Sequence, residues 1–195
     1  MDREELFAAF IDECEKRVEI CGQGNPNADI LIIGKEHYCC EDTTDPILIK
    51  RRLELNYELC RDKKRRKAPR PKDRNPTWSN YQKLIEAIDQ TREHDPNVRD
   101  FEEMAFTTEL NTAFRPQSPK VLDETTKGNI RRRLDFFRQS ELIQSFKIVV
   151  LACGNYIVNN EQRGYQINET FGVEFDKEGG EIVTPNGYWF CTHHK

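Results

Sequence analysis

Residues that can do chemistry stand directly after several short apolar segments of the sequence. Glu36 follows the first of these segments, Asn111 follows the second, and the pair His193 and His194 follows the last. A carboxylate can act as a base, an amide can recognise a polar ligand, and an imidazole can donate a proton. If the segments are strands of one parallel sheet, their carboxyl ends meet at one edge, and we expect these groups to line a crevice there.

Two other interpretations of these residues stay open. Residues that follow strands lie in polar loops, so the pair of histidines is also compatible with plain exposure to solvent. A thiol at Cys39 or Cys40 beside His193 or His194 would instead make a Cys–His hydrolase. That alternative requires a lowered thiol pKa.

The elements that must position these residues follow from the spacing of apolar side chains. This spacing predicts helices over 2–20, from 46 to about 60, from 76 onward and from about 124 to 145, and strands at 28–34, 103–110, 146–154 and 188–192. A short helix from Asn155 and a small hairpin or meander over 171–183, around Gly179 and Gly180, are also predicted. Asp45 and Pro46 have the residue types of an N-cap and a first helical position. The alternation predicts an α/β fold with a central, mainly parallel four-stranded sheet, in one domain over 1–195.

The composition is typical of a cytoplasmic domain with a heavily solvated surface. Of the 195 residues, 36% are hydrophobic and 33% are charged, and no segment reaches the roughly 20 apolar residues of a membrane span. The acidic N-terminal segment lacks the basic start of a secretory signal. The seven cysteines contain no CxxC pair, so we expect no disulfide framework, no metal and no cofactor. A monomer in the cytoplasm, without contact to a membrane, is the expectation.

A basic segment interrupts an otherwise acidic chain. Residues 61–74 contain nine Lys or Arg and two Asp, whereas the whole chain has a net charge of −4. This asymmetry favours an anionic partner such as nucleic acid. A solvated loop, which the two prolines of the segment also favour, explains it equally well. The residues predicted to contact nucleic acid form one continuous run: Lys63, Lys64, Arg65, Arg66 and Lys67.

The order of elements and three short motifs resemble the uracil-DNA glycosylase superfamily. The sequence NPNADILIIGKEHYCCEDTTDP at 25–46 is similar to the first motif of that superfamily, and its GKEHY core at 34–38 to a Gly-Gln-Asp-Pro-Tyr motif. FCTHH at 190–194 is similar to the start of a His-Pro-Ser motif. The resemblance covers most of the chain. It implies a three-layer α/β/α fold and the removal or recognition of a flipped uracil-type or modified base in DNA.

The resemblance also implies roles for individual residues. Glu36 falls at the position of the water-activating carboxylate, and His194, or its neighbour His193, at that of the histidine that stabilises the departing base. An amide would read the base, and a tyrosine would wall the pocket. The residues that would bind the substrate in this way are Gly34, Lys35, His37, Tyr38 and Asn111.

The sequence departs from the superfamily pattern at several motif positions. His37 stands where a proline is usual, Ile47 stands near the place of a stacking aromatic, and Lys195 follows His194 in place of a proline. These differences leave a second hypothesis open. The chain would then be a superfamily member that binds nucleic acid or a protein partner and cleaves nothing.

Overall fold

The computed structural model describes residues 1–38, 45–62, 68–69, 76–91, 93–115, 119, 121–162, 164–176, 181–183, 189–191 and 193–194. The helices are α1 (Arg3–Arg17), α2 (Pro46–Arg61), α3 (Pro76–Ile88), α4 (Phe101–Met104), α5 (Glu124–Gln139), α6 (Glu141–Gln144) and α7 (Gln166–Phe171), with a 3₁₀ turn at Gly154–Tyr156. The strands are β1 (Gln23–Gly24), β2 (Ile30–Tyr38), β3 (Ala68–Pro69), β4 (Val98–Arg99), β5 (Ala105–Arg115), β6 (Ile148–Leu151), β7 (Asn159–Asn160), β8 (Gly164–Tyr165), β9 (Glu174–Phe175), β10 (Glu181–Val183), β11 (Trp189–Cys191) and β12 (His193–His194). None of these helices is long and apolar enough to cross a membrane.

A four-stranded, mainly parallel sheet lies at the centre of the fold. Its strand order is β1-β5-β2-β6. Strand β2 pairs in parallel with both β5 and β6, whereas β1 runs antiparallel to β5. Helices pack on this sheet, so the α/β class predicted from the alternating pattern is confirmed.

Alternate residues of β2 point to opposite faces of the sheet, and helices cover both faces. Leu31 and Ile33 belong to the larger core cluster, together with apolar residues of α1, α2, α5, α6 and α7. Ile30 and Ile32 belong to a second cluster that contains Ile85 of α3. Because a strand buried on both faces has no polar side, this arrangement explains the continuous apolar run at 30–33.

The fourth strand of the sheet differs from the prediction. The segment at 188–192 was expected to join the sheet, but β11 pairs with β10 and β12 pairs with β9, each in a separate two-stranded sheet. Gly179 and Gly180, around which a small hairpin or meander is predicted, lie outside the described residues. The fourth strand is instead β1, which lies so close to β5 that a Cβ atom on Gly24 would stand 2.3 Å from the carbonyl oxygen of Ala105. A glycine-rich segment carries no apolar pattern, and its lack of side chains is what permits this approach.

Several helix ends also differ from the predicted ranges. The helix predicted over 2–20 ends earlier, because Val18 adopts a left-handed backbone conformation with φ of 57°. The helix predicted over 124–145 is two helices, because Ser140 has an extended backbone and its hydroxyl accepts a hydrogen bond from the Ile143 N–H of α6. The predicted start of α2 is confirmed, since the Asp45 side chain accepts a hydrogen bond from the Ile47 N–H at 2.9 Å.

Strands β2 and β5 are longer than predicted, and this changes the setting of the candidate residues. Pairing continues past Gly34, opposite Glu109, to Glu36, opposite Asn111, and the register shifts between Glu36 and His37. The predicted loop residues of this region are therefore strand residues. Hydrogen bonding to a neighbouring strand has extended β2 through a polar sequence that carries no strand signal of its own.

Candidate active site

Glu36 and Asn111 meet across β2 and β5, as predicted from the parallel strands. The Asn111 Nδ2 atom donates to Glu36 Oε2 over 3.4 Å, and the Tyr156 hydroxyl donates to the same oxygen over 2.5 Å. The other carboxylate oxygen, Oε1, is buried and has no hydrogen-bond partner within the described part of the chain. Buried carboxylate oxygens normally have partners, so Oε1 is the atom best placed to bind water or a ligand.

Asn111 is held in one orientation by the protein itself. Its Oδ1 atom accepts hydrogen bonds from the Ala113 N–H at 3.3 Å and from Asn129 Nδ2 at 3.2 Å. The side chain has an exposed fraction of 0%, so a base could reach it only after a rearrangement. The contacts in the structure therefore use Asn111 to position Glu36. Its predicted role in reading a base stays a prediction.

A second carboxyl group, that of Glu109, lies in the same part of the sheet. Its Oε2 atom is 2.2 Å from the point where a Cβ atom on Gly34 would stand, and the Tyr81 hydroxyl is 2.9 Å from that point. Burial and the negative charge of Glu36 raise the pKa of Glu109 to about 8, although Arg133 opposes this rise. Glu109 therefore holds a proton at neutral pH, which distinguishes it from an ordinary glutamate.

Lys35 and Tyr156 connect the ends of β2 and β6. The Lys35 Nζ atom lies 5.4 Å from the centre of the Tyr156 ring, within the range of a cation–π contact. The backbone at Gly154 lies close to the Lys35 side chain, because a Cβ atom on Gly154 would be 3.4 Å from Lys35 Cε. Cys153 is buried beside them, and burial raises the pKa of its thiol to about 12. This thiol is therefore not a nucleophile at neutral pH.

His193 stands apart from the central sheet, on the strand pair β9 and β12. Its Nε2 atom lies 3.3 Å from Asn159 Nδ2, and its ring meets Phe175 edge-on at 5.6 Å between centroids. Asn159 is in turn bonded to Asn168 Oδ1 at 2.6 Å. The expectation that this histidine follows a strand of the main sheet is wrong, because the strand before it pairs with β10.

Several predicted site residues cannot be placed. The side chains of His37, Tyr38 and His194 lie outside the described residues. Cys39 and Cys40, the two candidates for a catalytic thiol, lie outside them as well. So does the whole run predicted to contact nucleic acid, Lys63, Lys64, Arg65, Arg66 and Lys67. Within the part of the chain that is described, no group of three or more His, Cys, Asp or Glu could hold a metal ion.

The sequence interpretation missed one contributor to the site, Tyr156, and gave no role to another, Glu109. Tyr156 follows β6 by a few residues and carries no motif, so only the fold reveals its contact with Glu36. Glu109 precedes Asn111 by two residues in one strand, and this spacing puts both on the same side of the strand. This two-residue spacing can be read in the sequence, but the strand is predicted to end at residue 110 and not to continue through Asn111.

The fold and the site together define an α/β protein with a carboxylate, an amide and a tyrosine hydroxyl at the carboxyl ends of parallel strands. No protein-family model, curated protein or solved structure matches the chain.

Proposed function

We propose that this chain is a DNA glycosylase-like protein that removes or recognises a flipped uracil-type or modified base. The observation that supports it best is the buried Oε1 of Glu36, beside Asn111 and Tyr156, an atom that has no hydrogen-bond partner among the described residues. Both faces of the sheet carry helices, as the three-layer α/β/α arrangement of the uracil-DNA glycosylase superfamily requires, and that finer fold assignment is part of the proposal. DNA as the partner, a monomeric state and a cytoplasmic location belong to it as well.

The chemistry proposed for Glu36 follows from its hydrogen bonds. Two donors hold Oε2, so the carboxylate cannot rotate freely and Oε1 keeps a fixed direction. In that position Oε1 accepts a proton from a water molecule that attacks the sugar, or stabilises the positive charge that develops on the sugar. Extruding the base costs a few kcal/mol, which stacking and hydrogen bonds in a pocket offset. His193 and His194 remain the candidates from the sequence for stabilising the departing base.

A specific observation favours the alternative, a superfamily member that binds nucleic acid or a protein partner without cleaving it. Asn111 is fully buried, and its Oδ1 accepts two hydrogen bonds from the protein. An amide engaged in this way is not free to read a base. The basic run at 63–67 would then supply the affinity for nucleic acid.

An assay for abasic sites distinguishes the two functions. Single- and double-stranded DNA containing uracil or hypoxanthine is incubated with the protein and then cleaved with alkali. We expect strand breaks from the wild type, a loss of about 10²-fold in Glu36→Gln, and a smaller loss in Tyr156→Phe, which only positions Glu36. Glu141→Gln, at an exposed position at the start of α6, is the matched control.

The opposite result is equally informative. Strand breaks no more frequent with the wild type than with Glu36→Gln would overturn the glycosylase activity. Binding to the same DNA that weakens with salt would then support the non-cleaving alternative. In that case replacing Lys63, Lys64, Arg65, Arg66 and Lys67 by Gln is expected to weaken binding and flatten its salt dependence.

A further inference from the structure

Glu109 is a titratable group on β5, two residues before Asn111, and the proposed function does not use it. The register pairs Gly34 with Glu109 and Glu36 with Asn111. Residues two apart in a strand share a face and are separated by roughly 7 Å along it. Glu109 and Glu36 are therefore diagonal neighbours on one face of the sheet, and the charge of Glu36 acts on Glu109.

The space around Glu109 exists because position 34 lacks a side chain. Glu109 Oε2 and the Tyr81 hydroxyl both approach the point that a Cβ atom on Gly34 would occupy, at 2.2 and 2.9 Å. The carboxyl thus lies against the backbone of β2, on the side of the strand that also carries Glu36. Arg133 lies on the other side of the strand and bonds the backbone carbonyl of Glu109 through Nε at 3.2 Å.

We infer that Glu109 is the general acid of the proposed reaction, the group that gives a proton to the departing base while Glu36 takes one from water. The inference rests on the proposed function and makes it more specific. It assigns the proton donor to the central sheet rather than to a histidine of the last strand. Glycoside hydrolysis by a protonated and an ionised carboxyl is the general chemical precedent.

The charges around Glu109 support this assignment. Burial and then the charge of Glu36 on β2 raise the pKa of Glu109, Arg133 on α5 lowers it, and the balance leaves it at about 8. Tyr81 on α3 and Cys153 after β6 also face Glu109, and burial raises the pKa of both. Since these two groups are neutral at physiological pH, burial, followed by the charge of Glu36, keeps the proton on Glu109.

The step balances as a hydrolysis. The bond between the sugar C1′ and the base nitrogen breaks, and its electron pair leaves with the base. The base takes the proton of Glu109, the water oxygen bonds to C1′, and Glu36 takes the proton that this water loses. One water is consumed, and the proton on Glu36 returns to Glu109 through solvent.

The test compares two departing bases of different basicity in DNA that is otherwise identical. A fluorine at position 5 of uracil withdraws electrons, so 5-fluorouracil leaves with less help from a proton donor. We expect Glu109→Gln to release uracil about 10²-fold more slowly than the wild type and to lose far less on 5-fluorouracil. Glu36→Gln should lose activity equally on both, and Glu141→Gln should be unchanged on both.

The wild type alone provides a second readout that does not depend on a variant that folds. The group must be protonated to act, so uracil release should decline as the pH rises through about 8. Equal losses of Glu109→Gln on both bases, or uracil release that does not decline across this pH range, would overturn the inference and leave the proposed function standing. A wild type that releases neither base would overturn the proposed function and, with it, this role of Glu109.

Discussion

Position 34 is a glycine, and the position of the Glu109 carboxyl depends on the absence of a side chain there. The Glu109 carboxyl and the Tyr81 hydroxyl fill the volume in which a Cβ atom of residue 34 would stand. A glycine in the middle of a buried strand weakens the strand, because it contributes no packing and loses more backbone entropy on folding. Its presence there is explained by the close approach of Glu109.

Gly34→Ala is therefore expected to destabilise the fold by about 1–3 kcal/mol through overpacking. The added methyl group must displace the Glu109 carboxyl and the Tyr81 hydroxyl, and the Tyr81 ring is packed edge-on against Phe101. Urea unfolding followed by circular dichroism measures the change. The double variant Gly34→Ala with Glu109→Ala should recover part of the loss, because it removes the atom that the methyl group meets.

Gly128→Ala is the matched control for that substitution. Gly128 lies inside α5, and the nearest atom to an added Cβ is Arg132 Nη1 at 3.8 Å. Since alanine favours a helix over glycine, this variant should gain up to about 1 kcal/mol. If Gly34→Ala were as stable as the wild type, the close approach of Glu109 to β2 would be wrong.

Single residues also show where prediction from sequence succeeds and where it stops. The convergence of Glu36 and Asn111 could be predicted, because two parallel strands place their carboxyl ends at one edge. The contact of Tyr156 with Glu36 could not, since it depends on the path of the chain after β6. The complete burial of Asn111 could not be predicted either, because burial of a polar side chain depends on the hydrogen-bond partners that the fold supplies.

At the scale of elements, a buried arginine joins α5 to the sheet and to the segment after α1. Arg133 Nη1 pairs with Glu19 Oε2 at 2.8 Å, and Nη2 donates to the Ile20 carbonyl at 2.6 Å and to Thr108 Oγ1 at 3.0 Å. Its guanidinium also lies 4.8 Å from the centre of the Phe137 ring. Every contact is made inside the larger core cluster, so this side chain fixes α5 against β5.

Arg133→Met should destabilise the fold by roughly 3–5 kcal/mol, because it leaves the Glu19 carboxylate buried without its partner. Arg131→Met, on the exposed face of the same helix, should stay within about 0.5 kcal/mol of the wild type. Midpoints of urea unfolding provide the measurement. Combining Arg133→Met with Glu19→Gln should recover stability, and a double variant no more stable than the single one would contradict an unpaired charge as the cause.

Helices and strands whose apolar residues follow a clear pattern were predicted well, and elements without such a pattern were not. The helical spacing of apolar residues located α1, α2 and α5, and the continuous apolar runs located β2 and β6. The same spacing cannot show that Arg133 of α5 is buried, since a charged side chain is buried only where the fold supplies hydrogen-bond or ion-pair partners for it. It also cannot show that the strand at 189–191 pairs with 181–183 rather than with the central sheet, because pairing is decided between segments and not within one.

At the scale of the whole molecule, the protonation of one buried carboxyl connects the site to the stability of the fold. The pKa of Glu109 is raised from an ordinary value of 4.5 to about 8, mainly by burial and then by the charge of Glu36. The folded state consequently binds this proton more tightly than the unfolded chain does. The stabilisation is fully present below the pKa of the unfolded chain and is lost as the pH rises through the folded value.

The free energy of unfolding should therefore fall between about pH 5 and pH 9 in the wild type, by on the order of 3 kcal/mol more than in Glu109→Gln. The variant cannot ionise at this position, so it should be more stable than the wild type at pH 9. Urea midpoints across this pH range provide the measurement, and Glu141→Gln should follow the wild-type curve. Glu36→Gln should move the fall to lower pH, because removing the negative charge of Glu36 lowers the pKa of Glu109. Parallel curves for the wild type and Glu109→Gln would show that Glu109 ionises in the folded state as it does in the unfolded chain, and that the sheet holds no proton at this position.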